Sequence, residues 1–309
     1  MAILNNIINL VACGASGVLG TGFKGCRPYF QKTKDLWFVP RGFVFDGTKE
    51  LDVTYAQQLQ AEGNLIVVKG ITTFTDNSSD DQIETLEDGT KRVTTLGLYE
   101  FLVQFVNGLY FHTALFSLSS FGNYDVLYVD TAGNLLGTQA TNGSLKGFSV
   151  GMLQGQRLTW ATDTAGQREG LAFQLTERTE LDENYVFIQN KNISFDIRTL
   201  EGVNEATLSY VNAPAAADTT LTVKVVTRQD GKPVSGIPFG DFQVTVNGVI
   251  VNPTAAAEVG VTGVYALTIT ALVAADVVDV RLYDVAEDRI GITLDGCLYK
   301  SETISATAV

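Results

Sequence analysis

The sequence is short of the residues that chemistry at a site usually draws on. Among its 309 residues there is one histidine, His112, and there are three cysteines, Cys13, Cys26 and Cys297. Neither the number nor the spacing suits a zinc site, and an odd set of thiols does not make a disulfide framework. Proline is scarce, at 6 residues, which argues against stiff extended linkers. Charged side chains make up 18% of the chain, against about 25% in an ordinary globular domain. Basic residues are the scarcer sign, 21 against 34 acidic ones, for a net charge of −13. A chain with that balance is a poor nucleic-acid clamp, which needs clustered Lys and Arg to neutralise phosphates. No apolar run is long enough to span a bilayer as a helix.

Apolar residues and glycine are what the chain has. Hydrophobic side chains reach 45% and glycines number 30, which implies a substantial core and many tight turns. The charge is unevenly spread: residues 1–50 carry +3, residues 51–215 carry −11 and residues 216–309 carry −5. No pair of carboxylates stands apart from the general acidity, and no nucleophile has a base beside it in sequence. His112 lies in the apolar stretch Leu98–Leu118 and reads as a packed core residue. The expectation is a non-enzymatic structural or binding protein without cofactor or metal.

The first thirty residues carry three motif-like features. Leu10-Val11-Ala12-Cys13 fits a lipobox, but no Lys or Arg precedes it and Asn5, Asn6 and Asn9 interrupt the apolar run. Val11 to Gly20 resembles the glycine fingerprint of dinucleotide-binding enzymes. Gly22, Gly25 and Pro28 then stand where the helix that receives the pyrophosphate should be, so the stretch reads as a glycine-rich connector. Cys13 and Cys26 could pair, although small buried thiols explain them better. The arm itself, with Ile3, Leu4, Ile7, Ile8, Leu10 and Val11, is too apolar to stand in water. Residues 1–30 are expected to dock on a neighbouring subunit, with Ile7, Ile8 and Leu10 as contact residues.

A second candidate is the acidic run from Asp76 to Gly89. It holds Asp76, Asp80, Asp81, Glu84, Glu87 and Asp88, with no basic residue before Lys91. The spacing lacks the alternating ligands and the sixth-position glycine of an EF-hand loop. It reads as a loop or hairpin facing a lumen or a subunit interface, with a turn at Glu87-Asp88-Gly89-Thr90. Around it, a helix is expected over Tyr55–Ala61, capped by Asp52 or Thr54 and stopped by Gly63. The principal helix is expected after Gly108. Strands are expected at 36–39, 43–45, 65–74, 124–129, 171–175, 185–188 and 193–197. From residue 218 on, the pattern alternates without a helix signal, with strands near 221–226, 242–246, 264–269 and 277–282. The domain reading is an arm at 1–30, a mainly β assembly domain with one helix at 31–205, a linker at 206–217 and a β-sandwich at 218–309.

Two stretches add a resemblance. The turn Asp230-Gly231-Lys232-Pro233-Val234-Ser235-Gly236 and the strand Gly263-Val264-Tyr265-Ala266-Leu267-Thr268 resemble those of bacterial immunoglobulin-like domains, over roughly 216–305. Such domains are appended to adhesins and to virion proteins of tailed bacteriophages. The element order over 45–205, an acidic loop, one helix and then long hairpins, is similar to that of phage tail-tube proteins. The resemblance implies a barrel-like sheet with a flanking helix that assembles into homo-oligomeric rings within a virion. It also implies contact with other virion proteins, no sequence-specific nucleic-acid binding, and contact with a host surface through the Ig-like domain. A capsid-associated auxiliary, collar or fibre protein needs the same modules. A surface lipoprotein or adhesin would require lipidation at Cys13.

Overall fold

The computed structural model describes residues 3–11 and 30–309, with backbone alone for Asn9, Leu10 and Val11. The glycine-rich stretch, Cys13 and Cys26 lie outside the described residues. The protein is mainly β, in two compact units: one of residues 1–56 and 64–200, the other of residues 57–63 and 201–309.

In chain order the first unit contains α1 (Leu4–Val11), β1 (Thr33–Pro40), the start of α2 (Val53–Glu62), β2 (Ile66–Val68), β3 (Thr73–Asp76), β4 (Gln82–Thr85), β5 (Lys91–Thr95) and β6 (Glu100–Phe105). There follow α3 (Leu109–Ser117), β7 (Ser120–Phe121), β8 (Tyr124–Asp130), β9 (Leu135–Gln139), β10 (Leu145–Lys146), β11 (Phe148–Thr159), β12 (Arg168–Leu175), α4 (Arg178–Asp182) and β13 (Tyr185–Ile188). The main pairing runs β2–β1–β8–β11–β12–β6–β3, all antiparallel. Its two ends belong to one continuous segment. Ile71 N–H donates to Lys34 O in β1, and Thr72 N–H donates to Gln104 O in β6. Residues 66–76 therefore pass from one edge of the sheet to the other and close it on itself.

The interior of this closed layer is filled by Leu36, Phe38, Val103, Phe105, Val126, Phe148, Val150, Leu153, Leu171 and Phe173, all buried. In β11 the inward positions change from even to odd between Val150 and Leu153. A register shift between Val150 and Met152 makes that change possible. β1 is buried on both faces, so Leu36-Trp37-Phe38-Val39 is a continuous apolar run and not an alternating one.

The arm corrects an expectation. Leu4, Ile7 and Ile8, spaced three and four apart, form the apolar face of α1, and all three are buried in their own chain. α1 lies against β10 and β13, and its first turn is held by Leu4 N–H to Lys49 O and Asn5 N–H to Gly47 O. Ile7 and Ile8 are core residues, not interface residues. Leu10 is helical, and its side chain lies outside the described ones.

Other expectations meet their elements. Asp52 caps α2 through Tyr55 N–H at 2.7 Å, Gly63 ends it with φ +79°, and α3 follows Gly108. Two expected strands do not form. Val44 makes an isolated bridge to Lys146. Residues 190–199 hold two 3₁₀ turns, the second capped by the Asp196 carboxylate through Arg198 N–H, a local bond that competes with a ladder.

The second unit contains the end of α2 and β14 (Asn204–Tyr210), β15 (Thr220–Thr227), β16 (Phe242–Val246), β17 (Val249–Ile250), β18 (Ala255–Glu258) and β19 (Val264–Thr268). It continues with β20 (Val277–Asp284), β21 (Arg289–Ile290), β22 (Ile292–Leu294), β23 (Cys297–Ser301) and β24 (Ile304–Thr307). One sheet runs β18–β19–β15–β14–β23–β22, and the other centres on β16 and β20. Between them lies one core that includes Val223, Val225, Phe242, Val244, Tyr265, Leu267, Val278 and Val280. The expected linker is part of this sandwich. β14 pairs with β15 and β23, Ala216 N–H donates to Val309 O, and Ala217 N–H donates to Leu272 O. The boundary therefore falls at 200/201.

The two stretches that carried the Ig-like resemblance meet in this core. Tyr265 Oη donates to Val234 O at 2.8 Å and accepts from Ile237 N–H at 3.1 Å, all buried. Tyr265→Phe leaves both backbone groups without the hydroxyl. It should destabilise the second unit by about 1–3 kcal/mol, measured as a lowered midpoint in urea denaturation of the full chain.

Candidate assembly surfaces

The six carboxylates of the acidic run do not form one site. Asp76 ends β3, and its Oδ1 accepts from Ser78 N–H at 2.9 Å. Asp76, Asp80 and Asp81 line a cavity of about 450 Å³ with Ser78, Tyr99 and Arg178. Arg178 Nη1 lies 2.6 Å from Asp81 Oδ1, and its Nε lies 2.6 Å from Asp182 Oδ2. The Gly97 N–H, at 2.8 Å, and Arg178 hold the Asp81 carboxyl below the usual range. Gly97 admits no side chain here, because a Cβ would sit 1.8 Å from Ser79 O. That contact fixes the base of the next element.

The next element is the hairpin of β4 and β5, which holds the other three carboxylates. Glu84 stands opposite Arg92 and Ile83 opposite Val93. Asp88 accepts from Thr90 N–H and Thr90 Oγ1 in the expected turn, and Leu86 N–H closes it on Thr90 O. Folding back brings Lys91 and Arg92 against the acidic strand, so a run that looks purely anionic becomes a nearly charge-balanced ribbon. Every residue of β4 and β5 is exposed, Ile83 to 59%, together with Leu86 and Leu96. A two-stranded hairpin without a second layer is marginal in water.

A second unpartnered surface is α3, Leu-Tyr-Phe-His-Thr-Ala-Leu-Phe-Ser, in which only Leu115 is fully buried. Its inner side packs Phe111 edge-on against Phe105 and sets Phe116 over Gly155, where a Cβ would meet the ring at 3.1 Å. His112 packs against Phe116 with ring centroids 4.8 Å apart. Leu109 and Tyr110 face outward, Tyr110 at 68% exposure, with Val106 beside them in sequence and Trp160 exposed at 65% after β11. Apart from His112, residues 101–124 contain no ionisable group other than tyrosine. An uncharged helix that exposes Leu109, Tyr110 and Phe116 beside only Thr113 and Ser117 as polar side chains is ordinarily a covered one.

Near the C-terminal end of β12 lies an ionic lock. Asp125 of β8 is wholly buried. It accepts from Gly42 N–H at 2.8 Å and lies 3.6 Å from Arg41 Nε and 3.8 Å from Lys146 Nζ. Lys146 also pairs with Glu180 of α4 at 2.9 Å, and Glu180 accepts from Ser149 N–H at 2.6 Å. Burial pushes the Asp125 carboxyl up, while Gly42 N–H and the two cations oppose it. The network ties the 40–43 turn and α4 to β8 and β11. A polar cavity of about 520 Å³ opens beside it, lined by Thr138, Gln139, Asn142, Lys146, Glu180 and Asn184.

Among the described residues no group of three or more His, Cys, Asp and Glu side chains is placed to hold a metal ion. No described helix is long and apolar enough to cross a membrane. No protein-family model matches the chain, and no curated protein matches it.

The second unit holds a carboxylate shifted strongly upward. Asp241 is pushed up to about 6 by burial and by the neighbouring Asp284, and Arg289 opposes the shift. Because the folded state holds this proton more tightly than the unfolded chain does, the stabilisation is full below the ordinary carboxylate range. It is lost as pH rises towards 6. Asp241→Asn should therefore raise stability at pH 7 by about 3 kcal/mol and leave it unchanged near pH 3. Calorimetry of the full chain at both pH values checks this.

Proposed function

We propose that this chain is a self-assembling structural subunit of a bacteriophage virion, a tail-tube subunit that forms homo-oligomeric rings, with the Ig-like sandwich as a surface domain. One observation carries the reading. The closed β-layer of the first unit bears a hairpin with no second layer and an uncharged helix that exposes Leu109, Tyr110 and Phe116, two elements that one copy leaves incomplete. Element order supports the tube in particular, a barrel-like sheet with a flanking helix followed by long hairpins. The charge fits as well: a conduit for DNA must not bind phosphates, and the 51–215 region is at −11. The role is then mechanical rather than catalytic, and the partners are further copies and other virion proteins.

Electron microscopy of the purified full chain over a range of protein concentrations tests the reading. Rings or tubes of constant diameter are expected. A particle that remains a 33.3 kDa monomer at every concentration overturns it.

A further inference from the structure

We propose that the exposed hairpin of one copy docks on the α3 end of the first unit of the next copy, so that the contact is head-to-tail. This rests on the self-assembling reading above and names its two surfaces.

Topology comes first. β6 is preceded by the hairpin and followed by α3. Its partners confirm the polarity: Asp76 pairs with Phe101 at the hairpin end, and Thr73 pairs with Gln104 at the other. Six residues of strand separate the ends by about 20 Å. The hairpin emerges at the Glu100 end, whereas Val106 and the start of α3 lie beyond Phe105. β12 repeats the arrangement, with Gln174 opposite Glu100 and Glu169 opposite Phe105. Thr159 pairs with Arg168, which puts Trp160 at the α3 end as well. The hairpin and the apolar end are thus carried on opposite ends of the same strands. Two different patches that match each other on opposite ends give a heterologous contact, which builds rings or filaments and not closed dimers.

Charge chooses a second copy as the occupant. Two chains of −13 repel wherever their general surfaces meet. The 101–124 segment carries no Asp, Glu, Lys or Arg, so there the repulsion is small. The hairpin is nearly balanced, with Glu84, Glu87 and Asp88 against Lys91 and Arg92, and its tip is acidic at Glu87-Asp88. The receiving end has exposed Arg157 and Arg168 flanking the loop 160–167, in which Asp163 is the single acidic residue. An acidic tip meets a basic rim, and Ile83, Leu86 and Val93 meet Leu109, Tyr110 and Trp160. Apolar contact at the centre with charge at the rim is the usual anatomy of a protein interface.

Paired variants test this directly. Ile83→Asp spoils the hairpin, Tyr110→Asp spoils the receiving face, and both positions are exposed, so the fold of each copy is retained. Val93→Asp and Leu109→Asp serve as second variants on each surface. Each variant alone should weaken assembly by about thirtyfold or more in concentration, read by sedimentation velocity. An equimolar mixture of Ile83→Asp and Tyr110→Asp should give dimers, because one sound hairpin and one sound face remain and the chain of contacts then stops. If the parent forms particles and the variants form them equally well, or if the mixture stays monomeric, the head-to-tail contact is wrong while self-assembly stands. If the parent never assembles, both readings fall.

Discussion

Closure of the first unit depends on one segment. Residues 66–76 pair at their start with β1 and at their end with β6, so the sheet has no free edge along its main path. Closure fixes the direction of β6, and through β6 the positions of everything that protrudes. The hairpin is held at one end by Gly97 against Ser79 and by Asp81 against Arg178. α3 is held at the other, with Phe111 on Phe105 and Glu169 accepting from Asn107 N–H at 2.9 Å. A closed layer of this kind would suit the mechanical role proposed above, since it passes load through backbone hydrogen bonds rather than through loops.

Charge distribution is the second constraint. A net −13 makes copies repel in general, and least where charge is absent or balanced. The first unit has an uncharged stretch at 101–124 and a ribbon whose charges nearly cancel. Interior charges are handled differently. Asp125 is buried but faces Lys146 and Arg41, with Glu180 on the far side of Lys146. Removing one member would strand another, so such a network specifies the placement of α4 and the 40–43 turn more than it adds to stability.

Much of the fold was legible in the sequence. Alternation marked β15, β16, β19 and β20, an Asp at 52 and a Gly at 63 bounded α2, and the Glu87–Thr90 turn announced its hairpin. The Tyr265 strand and the Val234 turn, read only as resembling an Ig-like module, proved to be bonded to each other. What sequence concealed was mostly burial that comes from distant partners. Ile7 and Ile8 looked unpartnered because β10 and β13 lie more than a hundred residues away. β14 was hidden because it pairs in parallel with β23, almost a hundred residues on. The acidic run misled in the opposite sense: its neutralising partners, Arg92 and Arg178, come from a returning strand and from α4. The outer face of α3 was visible only as missing charge, a signal that sequence alone assigns as readily to a core.

The central claim is that another copy completes the hairpin, and amide hydrogen exchange at 82–95 tests it most directly. In dilute monomer these amides should exchange almost as fast as an unstructured chain, because a lone two-stranded ribbon opens freely. In assembled particles the Ile83 and Val93 amides should slow by about a hundredfold or more, equivalent to about 2.7 kcal/mol of added local stability. Particles in which these amides exchange at the monomer rate would contradict the account.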